Sequence, residues 1–128
     1  MLQIRKEQIA AFEKVMRQKF EDRTVAHIAE EFPEEHQLML DKDGGDAKVR
    51  ALVWEGVERA AGYGITSEEP TTLYIDLMMG IAPDFDVQAD MDWAREVLED
   101  PDLPEDAKMD LIYSELEDRD TSQHGTEA

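Results

Sequence analysis

Apolar residues recur every three or four positions through most of the chain, the period of a helix with one side turned to a core. Ile9, Phe12, Met16 and Phe20 open the pattern, and Val25, Ile28 and Phe32 continue it. Arg5, Lys6, Lys14, Arg17 and Lys19 cover the other side, so the spacing predicts one long helix over residues 4–31, with Asp22 as an available break point. Pro33 should end it, because the residue before a proline avoids the α region. A short helix is predicted over 34–40, and the run from Asp41 to Asp46, with Gly44-Gly45 inside it, is a turn by composition. A third helix is predicted over 46–61, with Val49, Leu52, Val53, Gly56, Val57 and Ala60 as its apolar stripe. A glycine inside a helix costs about 1 kcal/mol against alanine. Gly56 on that stripe therefore predicts the close approach of a neighbouring helix, while Gly62 and Gly64 supply the stop.

The segment Thr66-Ser67-Glu68-Glu69-Pro70 starts a fourth helix. Ser67 is the expected N-cap, and the two glutamates suit the positive end of the helix dipole. Leu73, Tyr74, Ile75, Leu77, Met78 and Ile81 leave little polar surface, which makes this the most buried helix expected; Gly80 and Pro83 end it. Residues 82–91 read as an ordered loop held by Phe85 and Val87. A short helix over 91–98 carries Trp93 and Val97, and a last helix over 104–118 turns Ala107, Met109, Ile112, Tyr113 and Leu116 inward, with Asp102 as its cap. Only Thr71-Thr72-Leu73-Tyr74-Ile75 has strand-like composition, and its surroundings are helical. The expected fold is all-α, a single compact domain of five to six helices with short connections over residues 1–118. A flexible acidic and polar tail is expected over 119–128.

Composition fits that picture and adds one feature. At 41% hydrophobic residues the chain has enough apolar material for a modest core and is not of disordered composition. No cysteine is present, which removes disulfides and thiolate ligands. No signal-peptide pattern and no apolar run of membrane-spanning length occurs, so a cytoplasmic location is expected. The added feature is the net charge of −19, which is unevenly placed: +2 over residues 1–23, −5 over 24–66 and −16 over 67–128. Such a field repels nucleic-acid phosphate and anionic lipid and draws basic partners. Solubility alone is the plainer explanation of an acidic surface. Its concentration in the second half favours a working surface.

The residues offer little to catalysis. Asp84, Asp86, Gln88, Asp90 and Asp92 alternate like a calcium loop, but a loop starting at Asp84 has Ala89 where the turn glycine belongs and Arg95 where the bidentate glutamate belongs. A loop starting at Asp41 fails at Asp46 and Leu52 in the same way. His27 and Glu31 lie one turn apart, without the second histidine of a zinc helix. Ser67, Ser114 and Ser122 have no nucleophile motif around them, and Gly44-Gly45 lacks the ending of a phosphate loop. No cofactor and no metal is expected, and the chain does not read as an enzyme. Tryptophan and tyrosine are frequent at binding hot spots, so Trp54, Trp93 and Phe85 are either core or contact residues. The candidate contact set is Phe85, Asp86, Asp90, Asp92, Trp93 and Glu96.

Five short stretches carry a resemblance: Phe20-Glu21-Asp22-Arg23, Tyr63-Gly64-Ile65, Tyr74-Ile75-Asp76-Leu77-Met78, Phe85-Asp86 and Trp93. Together, over about residues 1–113, the chain resembles small acidic proteins encoded beside effector, PAAR and adaptor genes in bacterial type VI secretion clusters. The resemblance implies a non-enzymatic co-chaperone or adaptor-type accessory for a secreted effector, or an immunity protein that neutralises a toxin. It assigns no contact residues. A third expectation, from charge alone, is an acidic DNA mimic that inhibits a DNA-binding protein. All three share one partner class, a protein with a basic surface (effector, adaptor or toxin), and no nucleic acid or membrane.

Overall fold

The structure is a computed structural model that describes the backbone of residues 2–42 and 44–127 and the side chains of residues 6–42 and 44–120. Among the described residues it is all-α, with no strand and short connections. The six helices are α1 (Leu2–Glu31), α2 (Pro33–Asp41), α3 (Gly45–Gly62), α4 (Glu68–Gly80), α5 (Asp92–Glu99) and α6 (Glu105–Glu127). Two single-turn 3₁₀ segments, Phe85–Val87 and Ala89–Met91, fill the loop before α5. The chain divides into two compact units, residues 1–55 and 56–128.

In the first unit α1 runs without a break at Asp22 and ends at Glu31, two residues before Pro33, which takes the first position of α2. Proline is tolerated there because the first amide of a helix has no partner to lose. The far half of α1 is packed: Thr24 and Ile28 are buried, and the Phe20 ring lies 6.1 Å from that of Trp54. Its first half differs from expectation. Every described residue from Lys6 to Lys19 is exposed, so Ile9, Phe12 and Met16 are not core residues here. Periodicity correctly gave them one face, but no element of the unit extends far enough to cover it. A polar knot ties α1 to α3. Arg50 donates to Glu21 at 2.6 Å, Asp22 at 2.8 Å and Asp46 at 2.8 Å, and the Trp54 indole N–H donates to Glu21 at 2.8 Å.

The second unit is built on α4, where Pro70, Thr71, Tyr74, Ile75, Leu77 and Met78 are buried. Gly56 meets it as predicted: a Cβ there would lie 2.6 Å from Ile75 Cγ1 and 3.1 Å from Met78 Sδ. The third helix closes in a Schellman arrangement, with the Ile65 amide bonded to the Ala60 carbonyl at 2.9 Å and the Gly64 amide to the Ala61 carbonyl at 3.0 Å. Gly64 takes the required left-handed backbone (φ +80°), and the next residue, Ile65, is fully buried. Two cap expectations need correction. Ser67 does sit at the N-cap of α4, but its hydroxyl makes no cap bond. That hydroxyl is instead held just ahead of the helix by Glu105, whose carboxylate accepts from it at 2.7 Å and from the Thr66 and Ser67 amides at 2.9 Å each. Those bonds, the Ser67 amide first, hold the Glu105 carboxyl below its ordinary range. Because α6 starts at Glu105, Asp102 lies too far upstream to cap it; the Asp102 amide donates to Asp100 instead. The backbone of α6 continues past the expected end at 118 to Glu127, and the side chains of the expected tail from Thr121 onward lie outside the described residues.

Candidate functional site

The candidate contact residues all fall in the second unit, on the 3₁₀ turns and α5, and the structure sorts them by depth. Phe85 is fully buried, its ring 5.2 Å from that of Tyr74, which in turn lies 6.2 Å from that of Tyr63. Asp86 is 4% exposed and is clasped from two sides. Arg59 Nη1 donates to one carboxylate oxygen at 2.7 Å and the Tyr63 hydroxyl to the other at 2.5 Å. A charge buried this far needs both a counterion and hydrogen bonds, and α3 supplies the arginine while the residue just past its end supplies the tyrosine. The same burial, with the Asp86 carboxylate adding to it, pushes the Tyr63 hydroxyl up to about 12. Phe85 and Asp86 are therefore corrected from contact residues to anchors: neither has surface to offer a partner.

These anchors fix the 3₁₀ turns and through them the start of α5. In that helix Ala94 and Leu98 are buried, with Met91 just before them, while Asp92, Glu96 and Glu99 share the outer side with Asp90 close by. Arg95 bridges two of them, at 3.2 Å from Asp92 and 3.7 Å from Glu99. Residues 84–102 hold eight carboxylates and one arginine, a net of −7, and of the eight only Asp86 is buried. Asp90, Asp92 and Glu96 are exposed. Trp93 is half-buried. Its ring is covered by the Arg119 guanidinium at 4.6 Å, and its indole nitrogen is sealed away with no hydrogen-bond partner among the described residues.

Three features of this site were not foreseen. Arg59 and Tyr63 as the clasp on Asp86 arise from a pairing across more than twenty residues, which local spacing does not reveal. Arg119 over Trp93 is of the same kind. Lys108 is the third: it is 6% exposed, and its ammonium donates at 2.7 Å to the carbonyls of both Tyr63 and Leu98. Those carbonyls lie at the C-terminal ends of α3 and α5, where a cation is favoured by the helix dipole. The sequence signal available was a lone lysine on the inward side of a helix otherwise rich in acid.

The alternating aspartates do not converge. Asp86 points inward, Asp84 accepts from Gln88 at 3.1 Å, and Asp90 and Asp92 face out. Among the described residues no group of three or more His, Asp or Glu side chains is placed to hold a metal ion. None of the described helices is long and apolar enough to cross a membrane. The fold class is that of an all-α protein with six described helices. The chain matches no protein-family model, no curated protein and no solved structure.

Proposed function

We propose that the chain is a non-catalytic protein-binding module whose acidic α5 edge receives a basic surface, and that it serves as an accessory for a secreted effector. One observation carries the reading: Asp90, Asp92 and Glu96 are held outward on a short segment whose other side is pinned by Met91, Ala94 and Leu98 and whose lead-in is anchored by the Arg59–Asp86–Tyr63 clasp. Carboxylates on a fixed support lose little freedom on binding, so charge complementarity can act through them. The effector role rests on the resemblance in the sequence, and four of the residues that carry it belong to this division of labour. Tyr63, Tyr74, Phe85 and Asp86 form the packed support, and the outward charges lie beyond it.

The test is isolation of the tagged protein from its own cells at moderate salt, followed by binding measurements with the purified partner. The expected partner is a basic effector or adaptor, and Asp92→Lys with Glu96→Lys should weaken it about tenfold, mostly through slower association and less so at high salt. A toxin whose activity the protein blocks would assign the immunity role. A DNA-binding protein displaced by duplex DNA would replace the proposal with DNA mimicry. Unchanged affinity in the double variant would move the contact away from α5.

A further inference from the structure

The first half of α1 is a second surface, and α5 does not account for it. Ile9, Phe12, Val15 and Met16 are 50%, 65%, 51% and 38% exposed, and their spacing gathers them on one side of the helix. They are turned away from the cleft beside Trp54, which is lined by Ala10, Glu13, Lys14, Arg17, Gln18 and Glu21. Scattered apolar residues on a surface mean little, whereas a continuous stripe marks an interaction site. Charge limits what can cover it. Residues 6–19 carry four basic and two acidic side chains, a net of +2, with Lys19 one turn beyond Val15 and Met16. A fitting occupant is therefore apolar at its centre and acidic at its rim.

The chain contains such a surface. Residues 56–128 carry 20 acidic and four basic side chains, a net of −16. On α6, Leu111 is 47% exposed and stands among the exposed carboxylates of Asp110 and Asp118. We propose that α1 of one copy docks on α6 of a second copy, with the stripe of Ile9, Phe12 and Met16 against Leu111 and Lys19 meeting the carboxylates beside it. A two-fold pair makes this contact twice, each copy giving its basic helix and receiving the other's. The inference is independent of the α5 reading, since it uses neither that edge nor its partner.

Sedimentation equilibrium of the full chain, run over a range of protein concentration at moderate salt, tests it with Phe12→Ser and Leu111→Ser. Both positions are exposed, so circular dichroism should match the parent in each. The parent should self-associate, each variant should dissociate about tenfold more readily, and an equimolar mixture of the two should associate better than either alone. That recovery arises because the mixed pair retains one intact contact, α1 of the Leu111→Ser chain on α6 of the Phe12→Ser chain. A parent that stays monomeric at every concentration overturns the proposal. So does loss of association in Phe12→Ser alone, which would pair the stripe with something other than α6.

Discussion

The first half of α1 and the whole of α4 obey the same rule of spacing and meet opposite fates. Both place apolar side chains three and four residues apart, yet α4 buries six residues, whereas α1 buries none between Lys6 and Lys19. The difference is not in hydrophobicity at any single position: Phe12 of α1 is 65% exposed, whereas Phe85, packed on Tyr74 of α4, is fully buried. It lies in the neighbours. The fourth helix has Gly56, which lets α3 come within contact distance, and it has the α6 side chains Met109 and Ile112 to fill the same core. The start of α1 meets Trp54 only on the side away from its apolar stripe. A periodic stripe states which side of a helix seeks cover; it does not state whether the cover belongs to the same molecule.

This comparison can be broken most directly by truncating one phenylalanine of the α1 stripe and the one that packs on Tyr74 of α4. Phe85→Ala should cost about 3–5 kcal/mol, because it empties a sealed site against Tyr74. Phe12→Ala should stay within about 0.5 kcal/mol at concentrations where the chain is a single copy. Denaturant unfolding of both variants measures this, and equal losses would mean that the stripe is covered within the chain after all. Gly56→Ala comes next. Overpacking against Ile75 costs about 1–3 kcal/mol, and the gain in helix propensity returns about 1 kcal/mol. A net loss of up to about 2 kcal/mol is therefore expected, and a gain would mean that α4 can step back from α3.

A further effect is expected only at high pH, and it sharpens the picture of the packed side. The chain has three tyrosines, and burial raises all of them: Tyr63 to about 12, with Tyr74 and Tyr113 raised further. A hydroxyl that holds its proton more tightly when folded adds stability that is fully present below the unfolded value, near pH 10. That contribution fades as the pH climbs through the folded value. Phenolate absorbance should therefore stay nearly flat through pH 10 and rise only as the pH approaches 12 and the second unit opens. A tyrosine ionising at the ordinary value would show that this support is looser than its geometry.

Much of the fold was legible because the signals are local. Pro33 stopping α1, the glycines closing α3, Gly56 on the stripe and the dense apolar run of α4 each act within a few residues, and each is where the pattern placed it. The acidic edge of α5 was legible for the same reason, since Asp92 and Glu96 are one turn apart. What the pattern missed depends on pairing at a distance. Phe85 and Asp86 looked like contact residues because loop aromatics and acids often are, and only Arg59, Tyr63 and Tyr74 make them anchors. Ser67 looks like a self-sufficient cap in the sequence, but its hydroxyl is turned to Glu105, nearly forty residues on. The bareness of Phe12 lies on the same side of the divide, because exposure is a statement about partners and no local spacing contains it.

The ammonium of Lys108 has one more consequence. The chain has six lysines, and the other five, Lys6, Lys14, Lys19, Lys42 and Lys48, are exposed. An amine-acylating reagent added to the folded protein will therefore mark five of these side chains quickly and one slowly. The slow site is closed by two carbonyls from the ends of two helices, so it can react only when that part of the molecule opens. Lys108 is thus a built-in clock: the lag between the fifth and sixth lysine acylations, read by peptide mass, reports the opening rate of the second unit in a chain with no cysteine to carry a probe.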